Sequence, residues 1–260
     1  MIYDDFAQGG WPSPRWAEFR YPGNDLWDPA AIVRCPGAPE RTLTIDLRRF
    51  TRSHPNHVKA LLLSTETFDI GLSGGFRVRV EMAVRMHGTE ANPFGLEPGD
   101  PRLAAGALVT IDPETGMVFD FFASNDRIQA LYERLPVARA ALGPYPAYSI
   151  LADPVPSRPE EWHRYEIRYD RAADRVAWLV DGRQIDERPH VGAPIGRSAP
   201  IVKLNKLRIG GGLFTLLDDL CNDQENADDH PRIPGCIRSN WEDRFGQGGV
   251  VSFRNFEIDL

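Results

Sequence analysis

The sequence has few cysteines for its 260 residues. Cys35, Cys221 and Cys236 form an odd and sparse set, which argues against the disulfide framework of a small secreted protein. Cys221 and Cys236 could still pair across the segment between them. A chain of this length buries enough surface to fold without disulfides or a metal ion, and we interpret residues 1–260 as a single domain.

Long apolar runs and a basic balance of charge are also missing. No apolar run approaches the ~20 residues that are needed to span a bilayer. The formal net charge is -7, whereas nucleic acids and anionic membranes attract basic surfaces. We therefore expect no nucleic acid and no membrane among the partners, and the composition leaves the oligomeric state open.

The beginning of the chain lacks the pattern of a signal peptide. It reads MIYDDFAQGGWPSPRW, with acidic residues where a signal peptide has basic ones and with no apolar segment behind them. The sequence thus predicts a cytoplasmic protein.

Motifs for cofactors and metals are equally scarce. The chain has no phosphate-binding loop, no dinucleotide-binding fingerprint and no G-x-S-x-G nucleophile motif. His54 and His57 flank a proline and have no third ligand nearby. The acidic segment DDLCNDQENADD could offer oxygen ligands to calcium, but such a segment is more often a solvated loop. We therefore predict neither a cofactor nor a metal site.

The sequence is rich in alternating apolar and polar residues, which are typical of strands with one buried face. In WHRYEIRYDRAADRVAWLVDGRQI, two alternating segments flank a polar turn, and the turn dipeptide DG ends the second. A short hairpin loop is predicted at DPETG, residues 112–116. The same reasoning predicts further strands at 42–47, 76–86, 105–111, 117–122, 201–209 and 250–258.

Helical patterns are rare. The best one covers residues 126–135, where Ser124 or Asn125 could cap the helix and where Ile128, Leu131, Tyr132 and Leu135 lie at helical spacing. Residues 216–220 could form another turn or two. Many short strands with little helix predict an all-β fold, a jelly-roll sandwich of two antiparallel sheets with one or two short helices.

Several segments, in order along the chain, resemble the concanavalin A-like lectin/glucanase superfamily, and family 16 glycoside hydrolases in particular. WHRYEIRYDRAADRVAWLVDG is similar to the family's W/F-H-x-Y-x-I strand and the following strand that ends in V-D-G. GGFRVRVEMAV, AAGALVTID and VSFRNFEID resemble three further strands, so that the resemblance covers roughly residues 70–260. It implies a sandwich whose concave sheet forms a cleft.

The catalytic strand of that family carries E-x-D-x-E or E-x-D-x-x-E, in which one glutamate attacks and the other protonates the leaving oxygen. The matching strand here is TGMVFDFFASN, whose only acidic residue is Asp120. One register places Met117 and Phe122 at the glutamate positions, and the other places Val118 and Ala123 there. Retaining glycoside hydrolysis by this strand is therefore chemically improbable.

A different set of ionisable residues lies on the polar face of the strand at 76–86. If this strand belongs to the concave sheet, as the resemblance implies, Glu81, Arg85 and His87 line the cleft, with Arg79 beside them. A carboxylate and a histidine at alternate strand positions suit acid/base chemistry on a small molecule. The alternative is a solvated sheet face with paired charges.

Asp120 is the third catalytic candidate, as a general acid or as an anchor for a substrate hydroxyl or amine. It could equally face solvent, or pair with Arg79 or Arg85. We expect Phe122 to wall the cleft, and Asn125, Arg127 and Tyr132 to contact a ligand from the end of the sheet, although capping and packing explain the last three as well. His163 is expected to form a structural hydrogen bond within its hairpin.

Two functions follow from these expectations. The first is an intracellular enzyme that binds a small molecule and performs metal-free acid/base chemistry, as an isomerase, lyase or cyclase. The second is a carbohydrate-binding or degenerate glycoside hydrolase-like module with a saccharide ligand, which rests on resemblance of fold. It predicts an open groove with exposed aromatic faces, for which Trp11, Trp16, Trp27 and Trp241 are available.

Overall fold

The computed structural model describes residues 1–19, 32–50, 59–71, 74–135, 148–193, 201–215 and 245–260. The strands in these ranges, numbered in chain order, form two antiparallel sheets. Sheet A contains β1 (Ile2–Asp4), β3 (Val33–Arg34), β4 (Leu43–Leu47), β7 (Gly75–His87), β13 (His163–Asp170), β14 (Arg175–Val180), β15 (Arg183–Pro189) and β17 (Gly248–Asp259). Sheet B contains β2 (Trp16–Glu18), β5 (Lys59–Ser64), β6 (Phe68–Asp69), β8 (Ala105–Ile111), β9 (Met117–Ala123), β10 (Arg127–Arg134), β11 (Tyr148–Leu151), β12 (Val155–Pro156) and β16 (Lys206–Phe214).

The strand order shows a jelly roll. Sheet A runs β15-β14-β13-β7-β17-β4-β3, with β1 also paired to β17. Sheet B runs β11-β10-β9-β8-β16-β5-β2, with β12 on β10 and β6 on β16. The chain crosses from sheet A to sheet B between β7 and β8 and returns between β12 and β13, so β7 and β13 are neighbours in sheet A although they are distant in sequence. The predicted two-sheet fold is confirmed.

The core lies between the sheets and follows the predicted alternation. Every second side chain of β7 points into it: Phe76, Val78, Val80, Met82, Val84 and Met86. From sheet B, Phe119 packs 6.2 Å from Phe76, and Phe121 packs 5.0 Å from Tyr165, measured between ring centroids. A Cβ atom on Gly211 would lie 2.5 Å from the ring of Phe253, so a glycine at this position allows the two sheets to approach.

The hairpin of β13, β14 and β15 explains the most recognisable part of the sequence. The predicted two-residue turn between β14 and β15 is confirmed, with positive φ angles at Asp181 and Gly182. The Asp181 carboxylate lies 2.7 Å from His163 Nδ1 and accepts a 2.8 Å hydrogen bond from the backbone N–H of Arg164. As expected, His163 therefore has a structural role, and it ties the start of β13 to the end of β14.

The helix predicted at 126–135 is wrong, because these residues form β10. Ile128, Ala130 and Tyr132 face the core, whereas Leu131 faces the opposite side of sheet B. Apolar residues on both faces of a strand hide the period of two and imitate helical spacing. The turn predicted at 216–220, Cys221, Cys236, the acidic segment and both histidines of HPNH lie outside the described residues.

Candidate functional site

The face of sheet B that points away from sheet A carries a second apolar cluster. Its side chains are at most 7% exposed, and Phe19, Leu135 and Leu151 pack against them. Sheet B is thus buried on both faces, unlike a sheet with one solvated face. The cluster consists of Leu61, Leu63, Ala105, Ala107, Val109, Ile111, Val118, Phe122, Leu131 and Phe214.

Asp120 lies in the middle of this outer face. It pairs in register with Val109 of β8 and Leu131 of β10, and its side chain is only 3% exposed. Its Oδ1 accepts a 3.0 Å hydrogen bond from the backbone N–H of Thr110. A buried carboxylate needs such donors, because removing a charge from water without them is costly.

The strand that the resemblance assigns to catalysis has no carboxylate pair. Val118 and Phe122 share the outer face with Asp120, while Met117 and Ala123 face the core. Retaining hydrolysis needs two carboxyl groups about 5–5.5 Å apart. The positions on either side of Asp120 along this face instead carry two buried apolar side chains, each 2% exposed. The expected loss of the glutamates is therefore visible in the geometry.

Polar side chains lie on this face nearer its borders. Gln129 Nε2 donates to the carbonyl of Ala152 at 2.8 Å, and Ser149 Oγ donates a short hydrogen bond to Glu133. At the other border, Arg208 Nε donates to the carbonyl of Ser64 at 2.8 Å. These contacts lie around the border of the apolar cluster. Sequence reasoning did not assign Gln129 and Glu133 to this face because it placed residues 126–135 in a helix.

The structure does not bring the other two catalytic candidates to Asp120. Glu81 and His87 lie on β7 in sheet A, on the face that points away from sheet B, as do Arg79 and Arg85. The expectation that β7 belongs to the same sheet as β9 is wrong, and the two strands lie in different layers. Alternation correctly predicted which side chains of β7 are buried, but it contains no information about which sheet a strand joins.

The charges on this outer face of sheet A are largely paired with one another. Arg79 Nη1 lies 3.0 Å from Glu257, and the Arg79 guanidinium also contacts Asp259. Arg85 lies 3.2 Å from Glu160, and His87 Nε2 lies 2.8 Å from the carbonyl oxygen of Arg48. The alternative of a charge-paired sheet face therefore describes Arg79, Arg85 and His87 better than a catalytic role does.

The three expected ligand contacts beyond β9 have structural partners. The Asn125 amide accepts from the Met86 N–H at 2.7 Å and donates to the Met86 carbonyl at 2.8 Å, so that it satisfies both backbone groups of Met86 in β7. The Tyr132 hydroxyl accepts from the N–H of Gly192 at 3.0 Å inside the sandwich. Arg127 donates to Asp126 and Glu97, and its hydrogen bond holds the pKa of the Asp126 carboxyl below its ordinary value.

The exposed aromatic faces expected of a sugar-binding groove are only partly present. Trp16 is buried, and its Nε1 donates to Asp4 at 2.8 Å. Trp11 is half-buried, and Trp27 and Trp241 lie outside the described residues. Sequence reasoning overlooked Trp162, which is half-buried and lies under the guanidinium of Arg254, 4.0 Å from the ring centroid. In the sequence, Trp162 had been noted only as the first residue of the hairpin signature.

The described ranges contain neither a metal-binding cluster nor a membrane-spanning helix. No group of three or more His, Cys, Asp or Glu side chains in these ranges is arranged to hold a metal ion. In the same ranges, no helix is long and apolar enough to cross a bilayer.

Comparisons of the sequence with known proteins identify a family and a viral relative. The profile of a family of unknown function, DUF6081, matches residues 4–260. Uncharacterized protein L829 of Acanthamoeba polyphaga mimivirus is 36% identical over 112 residues, which are 39% of this chain and 26% of that protein. This chain thus spans about a quarter of the length of that curated relative.

Solved structures resemble nearly the whole chain at low sequence identity. LamAcat from Zobellia galactanivorans has a TM-score of 0.56 at 11% identity, over 99% of this chain and 96% of that one. A LamA variant in complex with laminaritriose and laminaritetraose has a TM-score of 0.54 at 11% identity, over 98% and 97%. Porphyranase B from Zobellia galactanivorans has a TM-score of 0.51 at 9% identity, over 99% and 91%. The chain has the concanavalin A-like, glucanase-like jelly-roll fold.

These findings correct the first of the two functions. The interpretation as an isomerase, lyase or cyclase was wrong, since the solved structures named above include a laminari-oligosaccharide complex and a porphyranase. The geometry agrees, because Glu81, His87 and Asp120 do not meet in one pocket. The findings favour the second function.

Proposed function

Since the chain belongs to DUF6081, a family of unknown function, we propose a function from its fold and its site: a saccharide-binding, glycoside hydrolase-like module that does not cleave its ligand by the retaining mechanism. Support for the saccharide comes from the fold, which is shared with a laminari-oligosaccharide complex and with porphyranase B. Fold alone does not establish function. The second part of the proposal, the absence of retaining cleavage, rests on the side chains of β9.

The observation that carries the proposal is the sequence of side chains along the outer face of β9. Val118, Asp120 and Phe122 alternate on that face, and all three are nearly fully buried. Neither apolar residue can attack an anomeric carbon or protonate a leaving oxygen, and one carboxylate cannot do both. A strand of this composition is not compatible with double displacement, so the proposal is limited to binding without retaining cleavage.

The test combines two measurements on the unmodified chain. Calorimetric titration with laminaritetraose, cellotetraose and maltotetraose should give saturable binding to at least one of them. Overnight incubation with the same saccharides should release no new reducing ends. Absence of binding across a broad glycan array would overturn the proposal, and release of reducing ends would show that a carboxylate pair exists elsewhere on the chain.

A further inference from the structure

One patch on the outer face of sheet A departs from the ion pairing around it. Arg77, Arg79, Arg85, Arg164 and Arg168 of β7 and β13 each lie within 4 Å of a carboxylate. Arg254 of β17 makes no ion pair with any described residue. Its guanidinium lies over Trp162 instead, and its Nε is buried without an acceptor among the described residues.

Glu81 is the acidic residue that pairs with Arg254 in the sheet register. It lies between Arg164 and Arg254 in the sheet register, so that both guanidinium groups could reach it. Instead, Arg164 Nη2 lies 3.4 Å from Glu257 Oε1, and the Arg254 guanidinium lies over the Trp162 ring. Within the described part of the chain, Glu81 accepts only a 3.4 Å hydrogen bond from Asn255. A half-buried carboxylate and a guanidinium thus lie side by side with hydrogen-bonding capacity to spare.

Beside these groups, the outer face of sheet A carries small side chains, which we call the floor. Ala83 pairs with Ser252, and Ser252 pairs with Thr44, which places three small side chains in a row across β7, β17 and β4. The hydroxyl groups of Ser252 and Thr44 lie 2.9 Å apart. Trp162 directly precedes β13 at the level of Ala83 and closes the row at one end. Four neighbouring positions at the strand spacing span about 14 Å.

Longer side chains border this floor on both sides. Glu81 and Arg254 stand two residues away in one strand direction, and Arg85, Val250 and Asp46 stand two residues away in the other. The two borders are therefore roughly 13 Å apart between Cα atoms, at about 3.3 Å per residue. We call this depression, with its indole end and its mixed charges, the Trp162 trough.

We propose that the Trp162 trough binds a neutral oligosaccharide, with Trp162 as the stacking surface and with Glu81 and Arg254 as hydrogen-bonding partners of the sugar hydroxyls. This inference rests on the proposed function and gives it a location. The Arg254 guanidinium covers one face of the Trp162 indole, and the other face of this half-buried ring would offer an apolar surface to the C–H groups of a sugar ring. Sugar hydroxyls both donate and accept hydrogen bonds. Acidic and basic groups lie close together here, which favours a neutral ligand over a charged one.

The burial of sheet B strengthens the case for this location. The outer face of sheet B, where the glutamates would be expected, is filled with apolar side chains that are at most 7% exposed. The trough differs by its polar groups. Ala83 of its floor is 8% exposed, and around it lie half-buried or exposed polar groups: Thr44, Asp46, Glu81, Arg85, Ser252 and Arg254.

The experiment measures calorimetric binding of laminaritetraose, cellotetraose and maltotetraose to the full chain and to four variants. Trp162→Ala should lower the affinity about tenfold or more, because truncated aromatic anchors have the largest effects on binding. Ala83→Leu, which fills the floor and keeps the indole, should lower it as well and remains informative if Trp162→Ala does not fold. Arg168→Ala, on the same face outside the trough, should leave the affinity unchanged.

The fourth variant, Phe122→Leu, separates this inference from the proposed function. If the saccharide binds, Phe122→Leu weakens it and both trough variants bind normally, the ligand lies on sheet B and the inference is overturned while the function stands. If none of the three neutral saccharides binds and a sulfated or uronic oligosaccharide binds on the glycan array, the assignment of a neutral ligand is wrong. If no saccharide binds the unmodified chain, the function and the inference fail together.

Discussion

The outer faces of the two sheets carry opposite kinds of side chains. On sheet A, Arg79, Glu257 and Asp259 represent a layer of half-exposed charges that pair across strands. On sheet B, Val118 and Phe122 represent an apolar layer that is almost inaccessible. Exposed ion pairs contribute little to stability, whereas buried apolar side chains contribute much. The outer face of sheet B therefore contributes more to stability, and the outer face of sheet A is the one available for recognition.

The largest expected effect comes from the apolar layer. Phe122 is 2% exposed and its ring lies 5.5 Å from that of Phe214. Phe122→Ala should therefore lower the free energy of unfolding by about 3–5 kcal/mol, as measured by urea denaturation. The matched change on sheet A, Arg168→Ala, should alter it by no more than about 0.5 kcal/mol. Similar losses in both variants would mean that the two faces do not differ in this way.

This contrast also marks the limit of what the sequence predicted. Alternation along β7 and β13 correctly separated buried from polar residues, since those strands have one polar face. The apolar run MVFDFF at 117–122 predicted β9, but a strand that is apolar on both sides does not reveal which face is which. The same double burial made β10 resemble a helix. Sheet membership depends on pairing between distant segments, and so the sequence could not show that Glu81 and Asp120 lie in different layers.

A smaller effect is expected at Asp120, a carboxylate within the apolar layer. Asp120 is 3% exposed and accepts a hydrogen bond from the Thr110 N–H. Asp120→Ala should cost about 2–3 kcal/mol of unfolding free energy, because the backbone donor loses a charged acceptor in a buried place. Asp120→Asn keeps an oxygen acceptor at this position and should cost less, as urea denaturation would show. Equal losses for the two variants would contradict a role as acceptor.

The next largest effect on stability is expected at Asp181, in the turn between β14 and β15 of sheet A. Asp181 has a φ of 51° and accepts hydrogen bonds that fix the start of β13. Asp181→Ala should cost about 1–2 kcal/mol, since it removes an acceptor and places alanine in the left-handed region. Asp181→Asn should lose less, because asparagine tolerates that conformation and can accept from the Arg164 N–H. Thermal unfolding of the three proteins would rank them, and a reversed order would refute this explanation.

The smallest effect concerns the ion pairs on the outer face of sheet A and their dependence on pH. The pKa of the Asp259 carboxyl is lowered, first by its 2.7 Å hydrogen bond from the N-terminal ammonium group and then by the charge of Arg79. A depressed carboxyl pKa contributes stability above the unfolded value of about 3.9, and this contribution is lost as the pH falls through the folded value. Asp259 is 44% exposed, so the contribution at pH 7 should stay below about 1 kcal/mol. Asp259→Asn should therefore be slightly less stable at pH 7 and equally stable at pH 2, as followed by urea denaturation across that range. A constant difference at every pH would show that packing at this position, and not its charge, stabilises the outer face of sheet A.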